Sequence, residues 1–265
     1  MTSFARSGDG TRIAYDRIGS GPDVILVAGL LCDRTVTHPL AEALAAQFRV
    51  TNYDRRGRGQ SGNTAPYVVA REVDDIAALI ADAHGTAMVY GHSSGAALAL
   101  NAAASHLPIT RLVLHEPPYG ADDEDSRNGS KALARDILAM IATGDRERAI
   151  RRFFDDSGMP EEVINGIATD AKMLAMAPTI VHDLEVMGDF DRGGTIPEHL
   201  VRAIKVPTLV IHGDRSPEFF RETAITIAEL LPEGGYAVLE GQDHEAPARV
   251  VAPVVAEFLL RRRAA

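Results

Sequence analysis

The chain has 265 residues, 46% of them apolar, enough for a packed core in one large domain or in a domain carrying a sizeable insertion. A formal net charge of -10 argues against nucleic acid and anionic lipid as partners, and the one compact basic run, Arg261 to Arg263, suits a helix end. Cys32 is the only cysteine, which excludes an internal disulfide and a cysteine-based metal cluster. The first fifteen residues do not resemble a secretory signal, and no apolar run approaches the ~20 residues of a membrane span. The expectation is a cytoplasmic protein.

In chain order, short β-rich runs alternate with Ala-rich helical stretches. DVILVA (23–28) and FRVTNYD (48–54) read as strands. REVDDIAALIADAHG (71–85) reads as a helix, followed by the strands TAMVYGH (86–92) and RLVLHE (111–116). After residue 120 the alternation stops. Segments such as KALARDILAMIATG and DRERAIRRFFDDSG read as helices, with turns at Gly144, Gly158 and Gly193-Gly194, and DDEDSRNG reads as a solvated acidic turn. The alternation resumes with the strand PTLVIHGD (207–214), the helix PEFFRETAITIAELLP (217–232) and the strand YAVLEG (236–241).

Apolar strands separated by helices predict an α/β fold, a mostly parallel sheet covered on both faces. The division expected is a core of residues 1–119 and 206–265 and a helical cap of residues 120–205 over the strand ends, where such sheets bind ligands. Five of the seven methionines fall in that interval, which suits a pliable apolar wall.

Gly91-His92-Ser93-Ser94-Gly95 is a G-x-S-x-G between an apolar strand and an Ala-rich helix. That context describes a nucleophile elbow, with Ser93 on a tight turn facing the positive end of the next helix. The plainer alternative makes Ser93 a helix N-cap. A serine hydroxyl needs a base within hydrogen-bond reach and a third group to orient that base. In the order Ser, acid, His, the histidine after the last strand, His244, is selected; His92, His115 and His212 read as satisfied groups at strand exits.

At this point the chain resembles the α/β-hydrolase superfamily along essentially its whole length, through DGTRIAYDRIGSGPDVILVAG, NYDRRGRGQSG, GHSSG, VPTLVIHGD and GQDH. The resemblance implies an α/β-hydrolase fold with the cap inserted after the sixth core strand. It also implies that the acid stands three residues after the glycine of VIHG, and Ser216 stands there. Zearalenone-lactonase-like hydrolases and haloalkane dehalogenases carry the acid at the end of the preceding core strand instead. Glu116 has that place in HEPP, and GHSSG is similar to the lactonase elbow. Glu116 is therefore the first candidate acid and Asp214 the runner-up. Strand alternation is the ground for the preference, since neighbouring side chains point to opposite faces.

Backbone N–H groups of Ser94 and Leu30, with Gly29 making room, are the candidate oxyanion donors. Cys32 on the same loop reads as an inert thiol. DRRGRGQSG lacks the ending of a phosphate-binding P-loop. The resulting expectation is a serine hydrolase without cofactor or metal, acting on an ester or lactone of a moderately apolar small molecule. Acyl transfer, C–C hydrolysis, a cyclase or lyase reaction, or a small-molecule receptor remain alternatives, and the sequence does not decide between monomer and homodimer.

Overall fold

The protein was analysed as a computed structural model, which describes residues 1–155 and 157–261. In chain order the elements are β1 (Ser3–Arg6), β2 (Arg12–Gly19), β3 (Asp23–Val27), α1 (Arg34–Leu44), β4 (Arg49–Tyr53), α2 (Val69–Asp82), β5 (Ala87–His92), α3 (Ser94–Ala104) and β6 (Ile109–His115). Then come α4 (Glu124–Ala142), α5 (Arg146–Phe154), α6 (Glu161–Thr169), α7 (Ala171–Met176), α8 (Ile180–Met187), α9 (Asp189–Arg192) and α10 (Glu198–Ala203). The chain closes with β7 (Thr208–Gly213), α11 (Glu218–Leu230), β8 (Gly234–Leu239) and α12 (Ala248–Leu260). No helix among the described residues is long and apolar enough to cross a membrane.

The strands form one eight-stranded sheet in the order β1-β2-β4-β3-β5-β6-β7-β8. β1, β2 and β4 pair antiparallel, and every pair from β4 to β8 is parallel. The central strands read as unbroken apolar runs because both faces are covered. Val24 to Val27 and Leu112 to Leu114 are fully buried. β8 lies at the edge, and its side chains alternate between exposed and half-buried. From β3 the chain crosses to β4 on one side, and from β4 it returns to β5 on the other. The loops after β3 and β5 therefore diverge at a topological switch point, the place where open α/β sheets form their ligand crevice.

α3 is buried nearly all round, with Leu98 and Leu100 fully covered, each contributing about 2 kcal/mol of transfer free energy. Two glycines permit this close seating. A Cβ at Gly91 would stand 2.4 Å from the Gly95 carbonyl oxygen, and one at Gly95 would stand 2.3 Å from that of Val27.

The contacts divide the chain into two compact units, Met1–Pro118 together with Ile196 onward, and Tyr119–Thr195. The helix α10, read from the sequence as part of the helical insertion, packs on α3 and α11 and so belongs to the sheet-containing unit.

The other unit is helical, with α4 packed on α5, α8 and α9. The acidic stretch DDEDSRNG is not a turn, as its sequence suggested. Asp123 caps α4 by accepting from Ser126 N at 2.9 Å, and Glu124 and Asp125 occupy the first turn, where carboxylates suit the helix dipole. Inside this unit Asp189 is buried and accepts the Ser130 hydroxyl, and its Oδ2 has no hydrogen-bond partner among the described residues. Burial pushes its carboxyl up to about 6 despite that bond and the Arg192 charge.

Candidate active site

Ser93 stands between β5 and α3 with φ 55° and ψ -128°, a sparsely populated conformation for a residue with a side chain. Its own N–H is tied to the His115 carbonyl at 2.9 Å, and its carbonyl accepts from Ala96 N at 2.8 Å. The side chain makes no capping bond to α3, so the N-cap alternative fails and the hydroxyl stays available. This strained turn is the elbow geometry, and holding it costs of order 1–3 kcal/mol, supplied by the packed strand and helix on either side.

Glu116 follows β6 directly, at φ 47°. β7 lies beside β6, and Glu116 N donates to the Ile211 carbonyl at 3.0 Å, which turns the carboxylate over the end of β7. One oxygen, Oε1, accepts from Gly213 N at 2.7 Å and from the Ser216 hydroxyl at 2.6 Å. The other, Oε2, is 2.5 Å from His244 Nδ1. Burial of this fully enclosed carboxyl raises its pKa, yet the bonds from His244, Ser216 and Gly213 together outweigh burial and hold it below its ordinary value. The Pro-Pro pair after Glu116 prevents the strand from continuing, so the carboxylate stays at a strand exit.

His244 rides on the loop between β8 and α12. The approach is close: a Cβ at Gly213 would stand 2.3 Å from the Gln242 carbonyl oxygen, which in turn accepts from Arg215 N at 2.9 Å. The imidazole is sandwiched between Phe220, 4.8 Å away at 21°, and His92, 4.7 Å away at 34°. His92 Nε2 also lies 3.0 Å from the His244 carbonyl oxygen, to which it donates. Burial, then the nearby His244, lowers the His92 pKa to about 3, so His92 is a neutral neighbour at pH 7. Among the described residues no hydrogen bond joins the Ser93 hydroxyl to His244. Such contacts often tighten only when substrate is bound.

The runner-up acid is placed elsewhere. Asp214 is exposed and its Oδ1 accepts from Gly241 N at 2.7 Å, closing the turn after β8. Cys32 is half-buried and in no disulfide, and its backbone N–H donates to the Gly29 carbonyl at 3.4 Å.

The loop after β3 meets the elbow at the switch point. A Cβ on Gly29 would stand 3.1 Å from Ser93 Cβ, tighter than an ordinary contact, so glycine lets the backbone pass here without displacing the elbow. The Leu30 N–H has no hydrogen-bond partner among the described residues. The carbonyls of this loop are held from behind. Arg55 Nη1 reaches the Ala28 oxygen and the Ser94 hydroxyl, both at 3.3 Å, and Arg58 Nη1 reaches the Gly29 oxygen at 2.5 Å. Arg55 is itself held bidentate by Glu72 at 2.9 and 2.8 Å, and Arg56 by Asp75 at 2.8 and 2.7 Å. The arginine-rich block is therefore a buried ionic brace under the loop.

Sequence reasoning named His92 and Ser216 but gave neither a role at the site, and it missed Arg55 and Arg58, since no local spacing shows that these side chains reach the His244 loop, Glu116 or the loop after β3. It also read His115 and His212 as satisfied. Among the described residues each keeps one ring nitrogen buried without a hydrogen-bond partner, Nε2 of His115 and Nδ1 of His212.

A strained serine elbow, with a histidine and carboxylate pair delivered by later loops, is the arrangement through which α/β-hydrolase sheets perform hydrolysis. Residues 24–254 match the model of the Alpha/beta hydrolase family; the chain belongs to that family and is a hydrolase of that kind. It is similar to the crystal structure of an alpha/beta hydrolase from Sphaerobacter thermophilus DSM 20745, with 43% identity and TM-score 0.87, covering 97% of this chain and 100% of that one. It is 29% identical over 241 residues to the 2-(acetamidomethylene)succinate hydrolase of Mesorhizobium japonicum, covering 85% of this chain and 82% of that protein. The enol-lactonase from Burkholderia xenovorans LB400 shares the fold, at 23% identity and TM-score 0.67 over 98% of this chain and 100% of that one.

Proposed function

We propose that the protein cleaves an ester or lactone of a moderately apolar small molecule through an acyl-enzyme on Ser93. The observation that carries this reading is the contact between Glu116 Oε2 and His244 Nδ1 at 2.5 Å, beside the strained Ser93 elbow. A carboxylate that accepts the Nδ1–H fixes the tautomer, leaving Nε2 as the base.

In the proposed cycle His244 takes the Ser93 proton as Oγ attacks the carbonyl, and Glu116 stabilises the imidazolium. The N–H groups of Leu30 and Ser94 receive the oxyanion. His244 then protonates the departing alkoxide, and water, activated by the same base, releases the acid and regenerates Ser93. A serine at the elbow argues against haloalkane or epoxide opening, which needs a carboxylate there. The proposed cycle uses the chain's own side chains, two backbone N–H groups and water, and calls on no cofactor. A role as the cap is proposed for the helical unit, and a cytoplasmic setting is proposed on the ground of the lone cysteine.

The test is a panel of p-nitrophenyl esters, small and macrocyclic lactones, and the acetamidomethylene succinate of the Mesorhizobium relative, run in heavy-oxygen water with Ser93→Ala beside the wild type. Solvent oxygen in the acid product, lost with Ser93→Ala, is expected. Product formed without solvent oxygen would replace hydrolysis by acyl transfer or a lyase reaction.

A further inference from the structure

In the arginine-rich block after β4, Arg55 and Arg56 are held bidentate by Glu72 and Asp75. Arg58, 1% exposed, directs its Nη1 at a backbone group instead, donating to the Gly29 carbonyl at 2.5 Å. Taking a guanidinium out of water is costly, so a buried one aimed at a single carbonyl calls for a reason. The same carbonyl accepts from Cys32 N at 3.4 Å, which closes a turn over residues 29–32. Leu31 stands third in that turn at φ 54°, a strained conformation for a residue with a side chain. Such a turn persists only where its surroundings hold it, and the Arg58 bond is one of those restraints.

Peptide geometry turns that restraint into a direction. The Gly29–Leu30 bond is trans, so its C=O and N–H point opposite ways in one plane. Arg58 and Cys32 N occupy the oxygen end of this amide, and the Leu30 N–H is presented at the other. That N–H has no hydrogen-bond partner among the described residues. Gly29 itself abuts the elbow, since a Cβ there would stand 3.1 Å from Ser93 Cβ and 3.7 Å from Ser93 Oγ. A charged donor on the carbonyl also polarises the amide and makes its N–H the stronger donor.

We infer that Arg58 is a positioning residue of the oxyanion site, pinning the Gly29 carbonyl so that the Leu30 N–H is aimed at, and strengthened for, the negative oxygen that forms as Ser93 attacks. It acts through the peptide and not by touching the reacting atoms. The inference rests on the acyl-enzyme reading given above.

The experiment uses the full-length protein and a small alkyl fluorophosphonate, in which Ser93 Oγ displaces fluoride and leaves a phosphoryl oxygen where the oxyanion would stand. Saturation labelling separates the maximal rate from the half-saturating concentration. Arg58→Met keeps the apolar stem, and its maximal rate should fall by about 10²-fold with the half-saturating concentration little changed. Arg58→Lys can still donate to the carbonyl and should recover about tenfold of that loss. Gly29-Leu30 is the only Gly-Leu pair in the chain, so carbon-labelled glycine carbonyls combined with nitrogen-labelled leucine give one correlated amide signal, that of Leu30. Its proton should move to lower field when the wild-type adduct forms, and move less in either Arg58 variant. No adduct on Ser93 removes the acyl-enzyme reading and this inference with it. An adduct on Ser93 that leaves the wild-type Leu30 signal unmoved overturns this inference alone, whether or not a variant of the buried arginine folds. Labelling of folded Arg58→Met as fast as wild type, or a loss confined to the half-saturating concentration, does the same.

Discussion

The Ser216 hydroxyl donates to Glu116 Oε1 at 2.6 Å, so the residue at the seat where relatives commonly carry an acid holds a carboxylate delivered by the neighbouring strand. The other oxygen of that carboxylate is thereby left to His244. On the proposed mechanism Glu116→Gln disturbs the His244 tautomer, and kcat on a cleaved ester should fall by about 10⁴-fold. Asp214→Asn should change kcat by only a few-fold, because Asp214 serves the Gly241 turn. The opposite ranking in kcat, with both variants folded, would move the acid to Asp214.

Ser216→Ala removes one of the bonds that oppose burial at Glu116, so the pKa of that carboxyl should rise. A carboxyl depressed in the folded state contributes stability above its unfolded pKa, and that contribution is lost as pH falls through the folded pKa. The variant should therefore lose it at a higher pH, moving the acid-unfolding midpoint upward. At pH 7 it should be less stable by about 1–3 kcal/mol, the scale of a hydrogen bond to a charged group. An unchanged acid midpoint in circular dichroism would show that the hydroxyl contributes nothing to the carboxylate.

Gly29→Ala places a methyl 3.1 Å from Ser93 Cβ, and the loop carrying the Leu30 N–H must give way. If that N–H receives the oxyanion, kcat should drop by about 10²–10³-fold with KM little altered. Steady-state kinetics on one good ester decide it. A change confined to KM would place the loop in ground-state binding instead.

Asp189 has a folded pKa of about 6, above its ordinary value, so the folded state holds its proton more tightly than the unfolded chain. The sign follows: the stabilising protonated form is fully present below the unfolded pKa of about 4 and is lost as pH rises toward and through about 6. Asp189→Asn should therefore compare better with wild type at pH 8 than at pH 5, the gap shifting by roughly 1–1.5 kcal/mol, since part of the loss is already present at pH 5. Urea unfolding at the two pH values measures it, and a gap independent of pH would contradict the shift.

Much of this architecture could be read from residue order. The central strands are apolar throughout because both faces of the sheet are covered, so DVILVA, TAMVYGH and PTLVIHGD fell within a residue or two of β3, β5 and β7. β1 and β2 were not assigned as strands, since exposed antiparallel edge pairing leaves mixed side chains such as Phe4 and Arg12. The acidic start of α4 looked like a turn because carboxylates at a helix N-terminus resemble solvated loop composition.

The site divides along the same line. Ser93 and Glu116 carry local signals, a glycine-flanked turn and a Pro-Pro stop. Ser216 and His92 do not, because their importance comes from β6 lying beside β7 and from the last loop crossing both strand ends. Sheet order and loop path are tertiary facts that no local spacing encodes.

The nucleophile is tested most directly by intact-mass and peptide-mapping analysis after exposure to a fluorophosphonate. The account predicts one adduct per chain, on the peptide containing Ser93, absent from Ser93→Ala and strongly slowed in Glu116→Gln. Undiminished labelling of Ser93→Ala, or an adduct confined to another residue, would contradict it.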